Sequence, residues 1–220
     1  MMKKKIGILG SGQVAQVLAS GFIKHGYPVM MGTSEVTKLN EWKSKNASGQ
    51  VGSFEDASKF GEILVLAVKG TSAESVVSSL KPWLNGKVVI DTNNPIAPEP
   101  PASGVLAYFT SLSDSLMERL QRTAPEARFV KAFNSVGNLF MVNPAFPDGK
   151  PTMFICGNDR DAKREVAAIL DTFGWEPADF GRVESARAIE PLCMLWCIPG
   201  MINNEWMHAF KLLRMPAVAK

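Results

Sequence analysis

Cysteine is scarce in this 220-residue chain, which has only Cys156, Cys193 and Cys197. An odd trio does not make the paired framework of a small secreted protein. No histidine or second cysteine pair stands at metal-ligand spacing beside Cys193 and Cys197. The three read as buried thiols in a reducing cytoplasm, and no metal site is expected. Histidine is scarcer still, with His25 and His208 alone. No Ser–His–acid or Cys–His arrangement is visible, which argues against hydrolysis. A dominant charge is missing as well, since 24 Lys and Arg face 21 Asp and Glu for a net +3. A nucleic-acid binder would show a basic patch with interleaved aromatics, whereas the densest cationic run, Lys3-Lys4-Lys5, reads as a solvated lead-in. Long apolar runs are lacking too. None approaches the roughly 18 residues of a membrane span, and the stretch after the lysines is too short and glycine-broken for a signal peptide. These absences leave a soluble cytoplasmic protein with a small-molecule partner, no nucleic acid and no membrane.

What is present is a rhythm. Residues 5–10, KIGILG, form a short β-prone run ending in glycine, the form of a buried first strand. Val14, Ala15, Val17, Leu18, Gly21 and Phe22 then recur at helical spacing, closed by Lys24, His25 and Gly26. Further strands are predicted at 27–31, weakly from Val51, at 63–68, 88–91 and 129–133. Helices are predicted at 40–45, 53–60, 72–80 and 114–121. From residue 150 the pattern continues with a strand in TMFICG, a helix over 160–173 and an extended piece at 177–180. The last segment, 184–213, reads as two helices parted at Pro199-Gly200. Alternating strands and helices predict an α/β fold, a Rossmann-type doubly wound and mainly parallel sheet with a small C-terminal α/β-helical lobe. The expected division is a dinucleotide-binding domain over residues 1–149. A lobe over 150–220 would complete an acceptor pocket and offer a dimer contact.

Gly10-Ser11-Gly12-Gln13-Val14-Ala15 fits G-x-G-x-x-A between a predicted strand and a predicted helix, and that context gives the pattern its meaning. Gly10 allows the tight turn, Gly12 lets backbone approach a pyrophosphate, and Ala15 lets the helix pack closely. The helix start then presents free N–H groups to the phosphates. An acid normally ends the second strand to hold the adenosine ribose. Met31-Gly32-Thr33-Ser34 has none there. Two hydroxyls and Lys38, one turn on, make an acceptable cradle for the 2′-phosphate of NADP. Two other readings stay open: Glu35 as a displaced ribose acid in an NAD site, or Thr33 or Ser34 as a mere helix cap.

With GILGSGQVA, VMMGTSEVTK, VVIDTNNP, RFVKAFNSVG, MFICGNDRDAK and GWEPADFGRVESARAIEP in this order, the chain resembles the NADP oxidoreductase family dependent on coenzyme F420. It also resembles the cytoplasmic domain of six-span metalloreductases. The resemblance implies NADP(H) as cofactor, with Ser11, Gly12, Gln13 and Val14 at the pyrophosphate and Thr33, Ser34 and Lys38 at the 2′-phosphate. It also implies Val68 and Lys69 flanking the nicotinamide ribose, and Asn93, Asn94 and Pro95 closing the crevice. Ala132, Phe133, Asn134 and Ser135 would lie beside the nicotinamide. The chain departs from the family at Ser34, where an arginine is common, and at Lys69-Gly70, where a proline and a bulky residue often stand.

The resemblance makes a deazaflavin (F420) or flavin-like ring the expected hydride acceptor. Such transfer needs orientation and exclusion of water rather than a proton donor. Asn134 is the residue expected to fix the ring, with Lys69 beside it. Carbonyl or imine reduction is the first alternative, with Lys69 or Lys131 acting electrostatically. A non-catalytic dinucleotide sensor is the second. Lys69 and Lys131 also have a plain reading as solvent-facing lysines with buried stems. His25 is expected to end its helix, His208 to lie at a surface or interface, and the apolar tail over 192–213 to suit a homodimer.

Overall fold

The apolar runs become six parallel strands in the computed structural model, which describes residues 3–215. They are β1 (Ile6–Leu9), β2 (Val29–Gly32), β3 (Gln50–Gly52), β4 (Ile63–Leu66), β5 (Val88–Asp91) and β6 (Arg128–Lys131). Their order is β3-β2-β1-β4-β5-β6, with Ile6 opposite Val29 on one side and Ile63 on the other. Every residue of β1, β4 and β5 is buried. That explains their unbroken apolar runs: a sheet covered on both faces has no polar side to alternate with.

The covering helices follow the strands in turn: α1 (Gln13–Lys24), α2 (Asn40–Lys45), α3 (Phe54–Phe60), α4 (Gly70–Leu84) and α5 (Leu116–Thr123). Local chemistry sets their starts. Ser53 with Asp56 and Ser115 with Glu118 each form a reciprocal capping box. α4 runs on to Leu84 with Pro82 inside it, beyond the predicted 72–80. Burial of Leu80 and Leu84 offsets the one backbone hydrogen bond that the proline removes.

Past residue 150 the rhythm continues, but in a separate sheet. β7 (Thr152–Ile155) and β8 (Glu176–Asp179) pair in parallel around α6 (Arg160–Thr172). One bridge, Lys131 N–H to Cys156 O at 3.0 Å, links that sheet to β6. The core is continuous across the link. Phe173 lies 4.9 Å from Phe22 and 6.1 Å from Phe133, ring centre to ring centre.

The tail corrects the sequence reading. α7 (Ala186–Ile189) precedes α8 (Pro191–Asn203), which passes straight through Pro199-Gly200. It ends where Asn204 takes a left-handed conformation, φ 58°. Residues 204–215 are not helical. They fold back: the Trp206 ring covers Gly200, Phe210 O accepts from Thr152 N–H, and Leu212 N–H donates to Thr152 Oγ1. His208 is half-buried and held in place. It stacks on Trp196 at 5.0 Å, and the Trp196 indole N–H donates to its carbonyl at 2.9 Å.

Candidate functional site

Strands β1 and β4 lie side by side while the chain winds outward from them in both directions, so their carboxyl ends flank a crevice. A cleft of about 1190 Å³ opens there. Four segments build its walls: the turns after β1, β2 and β4, and the stretch after β5.

Gly10 takes φ +145°, and a Cβ there would run into the Ala67 carbonyl, so glycine is required. A Cβ at Gly12 would meet no protein atom. The space beside it opens into the cleft, ready for a ligand to approach the backbone. No side chain caps α1, and its first turn has no acid. The helix start therefore keeps its N–H groups and partial positive charge for an anion. Gln16 braces the turn by donating from Nε2 to Ser11 O at 2.8 Å.

After β2, Thr33, Ser34 and Lys38 line the cleft and Glu35 does not. Glu35 turns instead to Lys38, at 2.8 Å, and accepts from Thr37 Oγ1 at 3.3 Å. The hydrogen bond from Lys38 holds its carboxyl below the usual carboxylate range. The Glu35 N–H donates to Thr33 Oγ1, so Thr33 is a local brace as well as a cleft residue. The observed features, an uncapped helix start, a bare Gly12 and a strand end without a facing acid, fit a dinucleotide carrying an extra phosphate.

After β4, Val68 and Lys69 line the cleft with Gly70, Thr71 and Ser72. The far wall comes from the segment after β5, where Asn93 and Asn94 both reach it. Asn93 is buried, and neither atom of its carboxamide has a hydrogen-bond partner among the described residues. A buried polar group left unpaired costs free energy, and both atoms of this carboxamide are closed to solvent. Pro95, Ala132 and Asn134 lie buried behind the wall and do not line it. Asn134 acts there as a strut: its Nδ2 donates to Ile189 O at 2.9 Å and to Asn94 Oδ1 at 3.2 Å, while Asn94 Nδ2 donates to Asn134 O at 2.7 Å. Phe133 beside it is buried and left-handed, φ 62°, a costly conformation for an aromatic residue.

Lys131 differs from its plain sequence reading. It is wholly buried, with Nζ 2.7 Å from Asp91, 2.9 Å from Glu190 and 2.8 Å from the Asn93 carbonyl. Burial pulls its pKa down, but the two carboxylates win and hold it above the ordinary value. Burial pushes Asp91 up, against the pull of Lys131. Three acceptors around Nζ are the geometry of an ammonium. Lys131 thus pins the cleft floor from below and is not a cleft residue.

Sequence reasoning missed Phe54, Thr71, Ser72, Val76, Thr92, Ile96, Ala97 and Pro98, all of which line the cleft. Thr71 and Ser72 could have been found as hydroxyl residues at a helix start, and 96–98 as the continuation of Asn93-Asn94-Pro95. Phe54 and Val76 carry no such signal. Cys156 and Cys193 are buried and Cys197 is half-buried; burial pushes the Cys156 thiol up to about 12. Among the described residues no group of three metal-ligating side chains occurs, and no helix is long and apolar enough to cross a membrane.

The sheet order, the glycine turn and the cleft at the β1–β4 switch together define a Rossmann-type dinucleotide-binding protein. Comparison with known proteins narrows the class. Residues 5–95 match the family described as NADP oxidoreductase, coenzyme F420-dependent. The chain is 30% identical to metalloreductase STEAP3 of Rattus norvegicus over 202 residues, 90% of this chain but only 39% of that protein. It is 25% identical to the F420-dependent NADP reductase of Methanothermobacter thermautotrophicus over 98% of this chain and 97% of that one. A crystal structure from Arthrobacter sp. FB24, provisionally designated an F420-dependent NADP-reductase, superposes with a TM-score of 0.88 at 29% identity. That match covers 96% of this chain and 100% of the other. The chain therefore spans well under half the length of the metalloreductase and the full length of the reductases.

Proposed function

We propose that the chain is a cytoplasmic NADP(H)-dependent oxidoreductase that exchanges hydride with a deazaflavin- or flavin-like acceptor. The observation that carries this reading is the rim after β2. Thr33, Ser34 and Lys38 face the cleft, and the one nearby acid, Glu35, is drawn off to Lys38. A carboxylate aimed into that rim would repel a 2′-phosphate; hydroxyls and an ammonium attract it.

When bound, the nicotinamide supplies the hydride. The chain's part is to hold and orient. Gly10, Ser11, Gly12, Gln13 and Val14 would take the pyrophosphate. Val68 and Lys69 would flank the nicotinamide ribose, and Asn93 and Asn94 would meet the nicotinamide end. Asn134 and Pro95 would stiffen that wall from behind. Lys38 and Lys69 are the ionisable side chains lining the cleft. Neither is an obvious proton donor for carbonyl or imine reduction, which favours a ring acceptor that needs only stacking and dry contact. Leu195, Met201 and Ile202 stand exposed on α8, the face on which a homodimer would form.

The test is cofactor choice. Ser34→Asp and Thr33→Asp should each weaken NADPH binding by about 1–2 kcal/mol, roughly 5–30-fold, while NADH is spared. Equilibrium binding of both nucleotides would measure this, and an unchanged NADPH preference in both variants would overturn the cradle. NADPH oxidation followed with F420, FMN and a ketone or imine panel then tests the acceptor class.

A further inference from the structure

Glu190 lines no part of the cleft and is 1% exposed. It sits at the joint of α7 and α8. Its Oε1 lies 2.9 Å from Lys131 Nζ and accepts from Met117 N–H at 2.9 Å, and its Oε2 accepts from Leu116 N–H at 3.0 Å. Its carbonyl accepts from Tyr108 Oη at 3.0 Å. The carbonyl of Ile189, one residue earlier, accepts from Asn134 Nδ2 at 2.9 Å.

The partners of this joint lead outward to the far wall of the cleft. Lys131 carries the hold to the Asn93 carbonyl at 2.8 Å, while Asp91 Oδ1 takes the Asn93 N–H at 3.0 Å. Asn134 carries it to Asn94, bonded in both directions at 3.2 and 2.7 Å. Tyr108 carries it to Ile96, its partner in an antiparallel bridge, and Ile96, Ala97 and Pro98 line the cleft. The wall after β5 is therefore held from behind by one corner of the C-terminal lobe.

Stability alone does not call for such an arrangement. Buried ions lose their hydration, and a well-packed apolar cluster of similar volume stabilises a fold as well or better. What charges and amides add is direction, because each bond fixes an angle as well as a distance. The backbone between Lys131 and Asn134 shows the same priority. Phe133 is buried with φ 62°, a conformation that persists only where its surroundings over-determine it and that clusters at functional sites.

Resting on the proposed NADP(H) reading, we infer that Glu190 is a positioning residue for the nicotinamide half of the cofactor. It touches no atom of the ligand. Its carboxylate sets Lys131 and so the Asn93 backbone. Its carbonyl sets Tyr108 and so Ile96, and the adjoining Ile189 carbonyl sets Asn134 and so Asn94. The adenosine half rests on the turns after β1 and β2, to which none of these bonds runs.

NADPH and 2′,5′-ADP share the adenosine and its 2′-phosphate, and only NADPH carries the nicotinamide. Glu190→Gln removes the charge that faces Lys131 and keeps the shape of the side chain. In the folded variant NADPH affinity should fall about three- to tenfold, the scale of one hydrogen bond to the ligand. Affinity for 2′,5′-ADP should stay within about twofold of the wild type, its site being remote. Emission of the dihydronicotinamide at saturating NADPH should lose anisotropy as the ring gains freedom. Tyr108→Phe deletes one hydroxyl and leaves the buried charges paired. It should shift both NADPH readouts in the same direction by less, and it decides the matter if Glu190→Gln does not fold. Equal losses for the two nucleotides, as general loosening of the fold gives, overturn the inference. So does no change in either NADPH readout. If the wild type binds neither nucleotide, the cofactor reading fails and takes this one with it. If the wild type binds both, the NADP(H) site stands whatever the variants show.

Discussion

On the proposed reading of the rim, Glu35 and the cofactor would compete for Lys38. Their 2.8 Å pair is more than half exposed on both sides, so it contributes little to stability, but it draws the ammonium away from the phosphate it would meet. Glu35→Gln should therefore tighten NADPH binding about two- to fivefold, leave NADH unchanged and steepen the salt dependence of NADPH affinity. Isothermal titration at two ionic strengths reads both effects, and weaker NADPH binding in Glu35→Gln would make Glu35 a ribose ligand after all. Lys131 shows the opposite regime. With Asp91 and Glu190 around it in a dry interior, Lys131→Met leaves buried carboxylates facing one another. The expected cost is about 3–5 kcal/mol in urea unfolding. A residue pattern alone does not separate these two lysines. Lys38 sits in a polar stretch, and Lys131 ends an apolar strand whose neighbours, Asp91 and Glu190, are distant in sequence.

At the scale of elements, the start of α5 is the most fully satisfied helix end near the site. Ser115 and Glu118 exchange hydrogen bonds, Glu190 accepts from Leu116 and Met117 N–H, and Arg187 grips Glu118 at 2.6 and 2.9 Å. The Arg187 hydrogen bond comes first among the causes that hold the Glu118 carboxyl below its ordinary range. A depressed carboxylate stabilises the fold above its unfolded pKa of about 4.3 and loses that contribution as pH falls through its folded value. Glu118→Gln should thus cost about 1–2 kcal/mol at pH 7, and the gap from the wild type should close below about pH 4. A gap that widens on acidification would reverse the assignment. Capping boxes of this kind, like the G-x-G-x-x-A turn and the six strands, were legible because a few adjacent residues determine them. The tail was not. Pro199-Gly200 reads as a break, yet packing of the Trp206 ring over Gly200 keeps α8 whole, and Asn204 ends it instead. The Asn134 strut was misplaced for a similar reason. Its partner, the Ile189 carbonyl, lies 55 residues away.

At the scale of the molecule, the boundary expected near residue 150 does not divide the core. Phe22 of α1, Phe133 after β6 and Phe173 after α6 pack together, and Trp175 sends its indole N–H to Met141 O across the same boundary. Lys131 and Glu190 tie the floor of the cleft to the C-terminal helices. Two lobes joined this way should unfold together, so calorimetry should show one transition, and Phe173→Ala should lower it as a unit by about 3–5 kcal/mol. The same coupling carries ligand binding into global stability. NADP⁺ at a hundred times its Kd should add about 2.7 kcal/mol, which for a chain of this size raises Tm by roughly 5–10 °C. Because the rim after β2 belongs to the first lobe and the floor is anchored in the second, the whole transition should move rather than part of it. NAD⁺ at equal concentration should move it less, and Lys38→Ala should shrink the difference between the two. A second transition that NADP⁺ leaves in place would show instead that the lobes fold apart and that the cofactor reports on only one of them.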